Sequence, residues 1–73
     1  MKLIPLSSEK VIKTLEIFGF QVVRQKGSHI ILKHADGMST VVPYREEIGR
    51  GLLRSIIREA KIDREEFLKA VEG

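Results

Sequence analysis

Apolar residues recur first with a helical period, then with an extended one, then with a helical one again, and the points of change delimit the elements. Leu6-Ser7-Ser8-Glu9 reads as a helix start, because a serine oxygen accepts from orphan first-turn amides and an early acid suits the positive end of the dipole. Val11, Ile12, Leu15 and Phe18 then fall within one arc of a helical wheel, which predicts an amphipathic helix ended by Gly19. Ile17 lies outside that arc and is expected at the surface.

From Phe20 the pattern becomes extended. Phe20 to Gln25 predicts a first strand and Lys26-Gly27 a turn, after which Ser28 to His34, rich in β-branched residues, predicts a second strand. Ala35-Asp36-Gly37 has hairpin chemistry, and Ser39 to Val42 predicts a third strand ended by Pro43. Three successive strands with tight turns imply an antiparallel meander. Tyr44 to Gly51, with two glycines and four charges, reads as a mobile connection. Leu52, Leu53, Ile56, Ile57 and Ala60 then form the apolar arc of a second helix running to about Lys61. Asp63-Arg64-Glu65-Glu66 has the form of a capped start to a short last helix, with Phe67, Leu68 and Val71 packing back.

The expected fold is therefore α+β, a small single domain over residues 1–73. Its order is helix, strand, strand, strand, helix and a short extra C-terminal helix, with helices on one face of a three-stranded antiparallel sheet and the other face open.

Composition narrows the chemistry. A chain of 73 residues buries a thin core, so any site is expected to be shallow and a deep cofactor cavity is not expected. The chain has no cysteine, which removes disulfides, thiolate chemistry and cysteine-type zinc sites, and its two histidines do not complete a zinc site. Zinc-finger, Walker, dinucleotide and nucleophile-elbow motifs do not occur. No apolar run approaches the roughly 20 residues that cross a bilayer, and the cytoplasm is the expected location. Neither a cofactor nor a membrane partner is expected.

Thirteen Lys and Arg against ten Asp and Glu leave a net charge of +3, which favours an anionic partner without naming one. Distribution says more than the total. Arg24, Lys26 and Lys33 lie in a stretch with no acid, and His29 sits inside it, directly after Gly27-Ser28. Alternation puts His29, Ile31 and Lys33 on one face and Ile30, Leu32 and His34 on the other, and the more apolar set belongs toward the helices. His29 is then expected beside Lys33 on the open face. Imidazole is the side chain that exchanges protons near neutral pH, and neighbouring cations would hold a phosphate against it.

This combination suggests metal-free RNA cleavage, with His29 taking the proton from a ribose 2′-hydroxyl and Lys or Arg stabilising the phosphorane. A strand histidine by itself is more often a surface or half-buried residue than a catalyst, and a module that only binds RNA fits the same charges. His34, before the second turn, is expected to hydrogen-bond Asp36 or the turn backbone. Asp36, Glu46 and Glu47 offer oxygen ligands for magnesium, but two acids in a loop are commonly just solvated charge. Arg50, Arg54 and Arg58 recur every four residues and would track a phosphate backbone, although such a stripe also simply solubilises a helix. Phe18, Phe20 and Phe67 are expected in the core, leaving Tyr44 as the stacking platform for a base.

The run Val22-Val23-Arg24-Gln25-Lys26-Gly27-Ser28-His29-Ile30-Ile31-Leu32-Lys33-His34 resembles the signature strand pair of the HicA toxin family, messenger-RNA interferases of toxin-antitoxin systems. Ile4-Pro5-Leu6-Ser7, Leu15 to Phe20, and Leu53-Arg54-Ser55-Ile56-Ile57-Arg58-Glu59-Ala60 extend the likeness over nearly the whole chain. The resemblance implies a fold like the double-stranded-RNA-binding domain, an endoribonuclease acting on mRNA, a catalytic role for His29 and inhibition by a HicB-like antitoxin. RNA contacts are then expected from Arg24, Lys26, Gly27, Ser28, Lys33, Tyr44, Arg45, Arg50 and Arg54. Many relatives carry a His-containing basic loop ending in Gly-Thr-Leu after the proline, where this chain has Tyr44-Arg45-Glu46-Glu47 leading to Gly51-Leu52-Leu53. A decayed toxin that acts only through its antitoxin partner is the remaining alternative.

Overall fold

The computed structural model describes residues 2–73. The elements are α1 (Ser8–Ile17), β1 (Phe20–Lys26), β2 (His29–His34), β3 (Ser39–Pro43), α2 (Arg50–Ala60) and α3 (Arg64–Glu72). The strands form one antiparallel sheet in the order β1-β2-β3, so the predicted α+β meander with a short extra C-terminal helix is the observed fold.

Local chemistry explains the boundaries. Ser7 caps α1, its hydroxyl accepting from the Lys10 amide at 3.1 Å, and Asp63 caps α3, its carboxylate accepting from the Glu66 amide at 3.2 Å. Lys61 closes α2 in the left-handed region (φ 57°), and the Ile62 amide donates back to the Ile57 carbonyl at 3.2 Å. That turn aims Ile62 at the core even though no glycine occupies the position.

The β1–β2 turn is one residue later than predicted. Lys26 pairs with His29, so the two-residue loop is Gly27-Ser28, with Gly27 at φ +61°. A tight hairpin of this kind wants glycine first in the loop, because the backbone there takes a positive φ that L side chains rarely adopt.

The helix-facing side of the sheet carries Phe20, Ile30, Leu32 and Val42, which meet Val11 and Leu15 of α1 and Leu53, Ile56 and Ile57 of α2 in one core. Phe67 of α3 completes it, stacking on Phe18 with centroids 6.4 Å apart. α2 runs along the outer edge of β3. Thr40 and Val41 point to opposite faces, yet Thr40 donates to the Glu59 carboxylate at 2.9 Å while Val41 shares a cleft with Glu59. The Thr40–Glu59 bond thereby ties β3 to α2, whereas β1 is exposed along its length after Phe20.

The connection 44–49, expected to be mobile, is pinned. The Arg45 amide donates to the Ser8 hydroxyl (3.2 Å), the Ser8 amide donates to the Arg45 carbonyl (3.1 Å), and Leu6 bridges to Ile48 in both directions. Ile48 is fully buried, and this apolar anchor among charged neighbours ties the segment to the start of α1. Helix α2 consequently starts at Arg50, with Gly49 in its cap position and Gly51 in its first turn.

Gly19 shows how tightly the α1–β1 corner is built. Its φ is +94°, and an added Cβ would lie 2.8 Å from Nε2 of His34, which is held by an edge contact to Phe20 and a hydrogen bond from the Asp36 amide. Gly19→Ala is expected to destabilise the domain by about 1–3 kcal/mol, read from urea denaturation, through backbone strain and displacement of that ring. An unchanged midpoint would mean the corner relaxes freely.

Candidate active site

His29 opens β2 and is exposed, while its neighbours Ile30 and Leu32 are buried, so strand alternation turns its imidazole to the face away from α1. Ile31 and Lys33 share that face. Which cations stand near His29 depends on a β-bulge. The register passes from Val22↔Leu32 to Arg24↔Ile31, leaving Val23 as an extra residue in β1. Without it Arg24 and Lys26 would point to the helix side; with it both join the His29 face. Lys26 stands directly opposite His29 and Arg24 opposite Ile31. Lys33 lies four residues along β2, about 13 Å from His29 at Cα, so the sequence expectation that places it beside the histidine gives way to Lys26.

On its other side His29 pairs with Pro43 of β3, and the next residue, Tyr44, donates its amide to the Ser28 carbonyl at 2.6 Å. The last turn of ladder thus brings Tyr44 and Arg45 to the histidine's end of the sheet. His29 lines an open cleft of about 330 Å³ with Val41, Pro43 and Arg45 on the sheet side and Leu52, Ser55 and Glu59 on α2. The Ser55 hydroxyl donates to the Gly51 carbonyl of its own helix at 3.3 Å, and Thr40 anchors Oε1 of Glu59. A cation from Arg45 and a carboxylate from Glu59 therefore reach the same cleft as the imidazole.

The other expected site residues are distributed as follows. Gly27 and Ser28 form the exposed tip of the β1–β2 hairpin, with open space where a Gly27 Cβ would stand. Arg50 and Arg54, with Arg58, do not join the cleft. At about 100° per residue their stripe is centred about 130° round α2 from Leu52, Ser55 and Glu59, with Arg58 about 60° from Ser55 across the solvent side and the buried Leu53, Ile57 and Ala60 on the other side. Sequence reasoning missed Ser55 and Glu59. Their i, i+4 spacing marks one helix flank, but nothing in the sequence says which flank of α2 meets the strand edge.

His34 lies on the opposite face, as alternation predicts. Its Nδ1 accepts from the Asp36 amide at 3.0 Å, which leaves the ring proton on Nε2 in that arrangement, and its ring packs against Phe20. It does not share a cleft with His29. Among the described residues no three His, Asp or Glu side chains group as a metal-binding set, and no helix is long and apolar enough to cross a membrane.

A family model described as HicA toxin of bacterial toxin-antitoxin matches residues 8–62. The chain belongs to the HicA toxin family. The match runs from the first residue of α1 through the sheet and α2 to Ile62, so the His29 cleft lies wholly inside the HicA region while α3 lies beyond it. No curated protein sequence matches the chain. Membership makes this HicA-family chain the toxin of a toxin-antitoxin system and implies an antitoxin partner.

Proposed function

We propose that this toxin is a metal-independent endoribonuclease that cleaves mRNA in the cytoplasm and is held inactive by a HicB-like antitoxin. The observation that carries the reading is the position of His29: an exposed imidazole in the cleft, with Lys26 directly across the hairpin and Arg45 on the cleft wall. In the reaction His29 accepts the proton of a ribose 2′-hydroxyl, and the 2′-oxygen attacks the adjacent phosphorus. The bond from phosphorus to the 5′-oxygen breaks, leaving a 2′,3′-cyclic phosphate on one fragment. The departing 5′-oxygen takes a proton from the imidazolium or from water. Lys26, Arg24 and Arg45 supply positive charge where the phosphorane gathers negative charge. DNA, lacking the 2′-hydroxyl, is not a substrate in this scheme.

The test is incubation of purified toxin with a defined single-stranded RNA in excess EDTA, followed by analysis of the new ends. Cleavage that persists and leaves cyclic phosphate, or the monophosphate from its opening, is the expected result. Cleavage abolished by EDTA and restored by magnesium would overturn the metal-free mechanism. Gel-shifted RNA that stays intact in every buffer would favour the binding module, for which the Arg50, Arg54 and Arg58 flank would be the natural contact.

A further inference from the structure

Arg45 lines a second cleft besides the one that holds His29. This concavity, about 470 Å³, lies between the start of α1 and the segment after β3 and is lined by Ser7, Ser8, Glu9, Tyr44, Arg45 and Glu46. It begins next to the reacting group, because the Tyr44 amide is bonded to the Ser28 carbonyl, one residue from His29. Most backbone amides at the mouth of α1 are already engaged: Ser7 caps the Lys10 amide, the Ser8 amide donates to Arg45 and the Val11 amide to the Ser7 carbonyl. The character of the cleft therefore comes mainly from side chains.

Three of those side chains are spare. Tyr44 is 58% exposed and is the one exposed Phe or Tyr ring among the described residues. Arg45 has both backbone polar groups locked to Ser8, itself only 2% exposed, while its guanidinium makes no ion pair or hydrogen bond among the described residues. Glu46 likewise has no partner there, although it shares the cleft with Arg45. Glu9, the other acid, already has local work in the first turn of α1, where the dipole favours a negative charge.

A carboxylate beside an RNA backbone repels phosphate, but it accepts well from the N–H groups of a base. Guanine presents two such groups side by side on its Watson–Crick edge, N1–H and the N2 amino group, matching the two carboxylate oxygens. Adenine and cytosine set an amino group beside a ring acceptor, and uracil sets one N–H between two carbonyls. We infer that the cleft between α1 and Tyr44–Glu46 binds an unpaired guanine next to the scissile phosphate, with Tyr44 as its stacking platform, Arg45 bridging to the phosphate and Glu46 reading the base. The inference rests on the ribonuclease reading for the word scissile, and on the second cleft alone for the base. It also sets the substrate as a single strand at that point, since an edge engaged in pairing is not open to Glu46.

The experiment uses four fluorescein-labelled RNA hexamers, identical except for guanine, adenine, cytosine or uracil at one central position. Fully 2′-O-methylated copies measure binding by anisotropy, and unmodified copies measure cleavage. For the wild-type toxin the guanine hexamer is expected to bind about 10-fold or more tighter than the others, the discrimination a good two-point base contact provides. Glu46→Gln should collapse that ratio toward one. Tyr44→Ala should weaken binding of all four by about 10-fold, with Tyr44→Phe losing less because the stacking ring remains. Equal binding of the four hexamers, or a guanine preference that survives Glu46→Gln, would overturn the inference. Guanine-selective binding without cleavage of any hexamer would support the cleft assignment and refute the ribonuclease reading; cleavage of all four at one rate with equal binding would do the reverse.

Discussion

Alanine at position 29 is expected to lower the rate of RNA cleavage by about 10²- to 10⁴-fold, the usual contribution of one positioned general base. The fold should hardly notice. His29 is exposed and its side chain makes no hydrogen bond or ring contact among the described residues, so the loss in stability should stay within about 0.5 kcal/mol, checked by thermal melting. The two readouts together separate chemistry from unfolding. Added imidazole offers a third: the cleft is open and about 330 Å³ in volume, so a free base can reach the place the side chain vacates. Partial rescue of the His29→Ala protein by imidazole would identify proton transfer as the missing function. Cleavage or growth arrest at the wild-type level in this variant would remove His29 as the base and leave the surrounding cations as a binding surface.

The largest expected loss of stability comes from Phe67→Ala. Phe67 is fully buried, stacks on Phe18 at an interplanar angle of 11° and belongs to α3, which lies beyond the residues matched by the HicA family model. Removing a buried phenyl ring costs about 3–5 kcal/mol through lost transfer energy and the cavity left behind. Small domains sit at the low end of the roughly 5–15 kcal/mol that hold folded proteins together, so this one change should leave a large unfolded fraction at 37 °C. The effect reaches the site through α1. That helix carries Phe18 at its end and Ser8 at its start, and Ser8 holds Arg45 in place by two hydrogen bonds. Urea denaturation followed by circular dichroism would measure it. A change below about 1 kcal/mol would mean that α3 is an appendage rather than part of the core.

The helices and strands were legible because each carries its own signal. Val11, Leu15 and Phe18 mark the face of α1 by spacing alone, and Ile30 and Leu32 mark the inward side of β2 by alternation. The same alternation put His29 outward and His34 inward, which is where the structure has them. The segment after Pro43 differs from its sequence expectation for a physical reason. Its glycines and charges have loop composition, and only the pairing of Ile48 with Leu6, more than forty residues apart in sequence, shows that it is tied down. The Arg50, Arg54 and Arg58 stripe was found on its helix correctly, but a stripe has no direction until the helix is docked.

What the sequence by itself determined is the order of elements, most of the core residues and the identity of the one outward histidine, since these depend on local periodicity and turn chemistry. The cast around His29 was decided by tertiary structure. An extra residue at Val23 reverses which side of β1 faces outward, and so brings Lys26 and Arg24 to the histidine in place of Lys33. The docking of α2 along β3 chose Ser55 and Glu59 over the arginines as the far wall of the cleft. Both choices turn on one-residue differences in register and on which flank of a helix finds a strand edge, and those are fixed by contacts between segments distant in sequence, where local pattern carries no information.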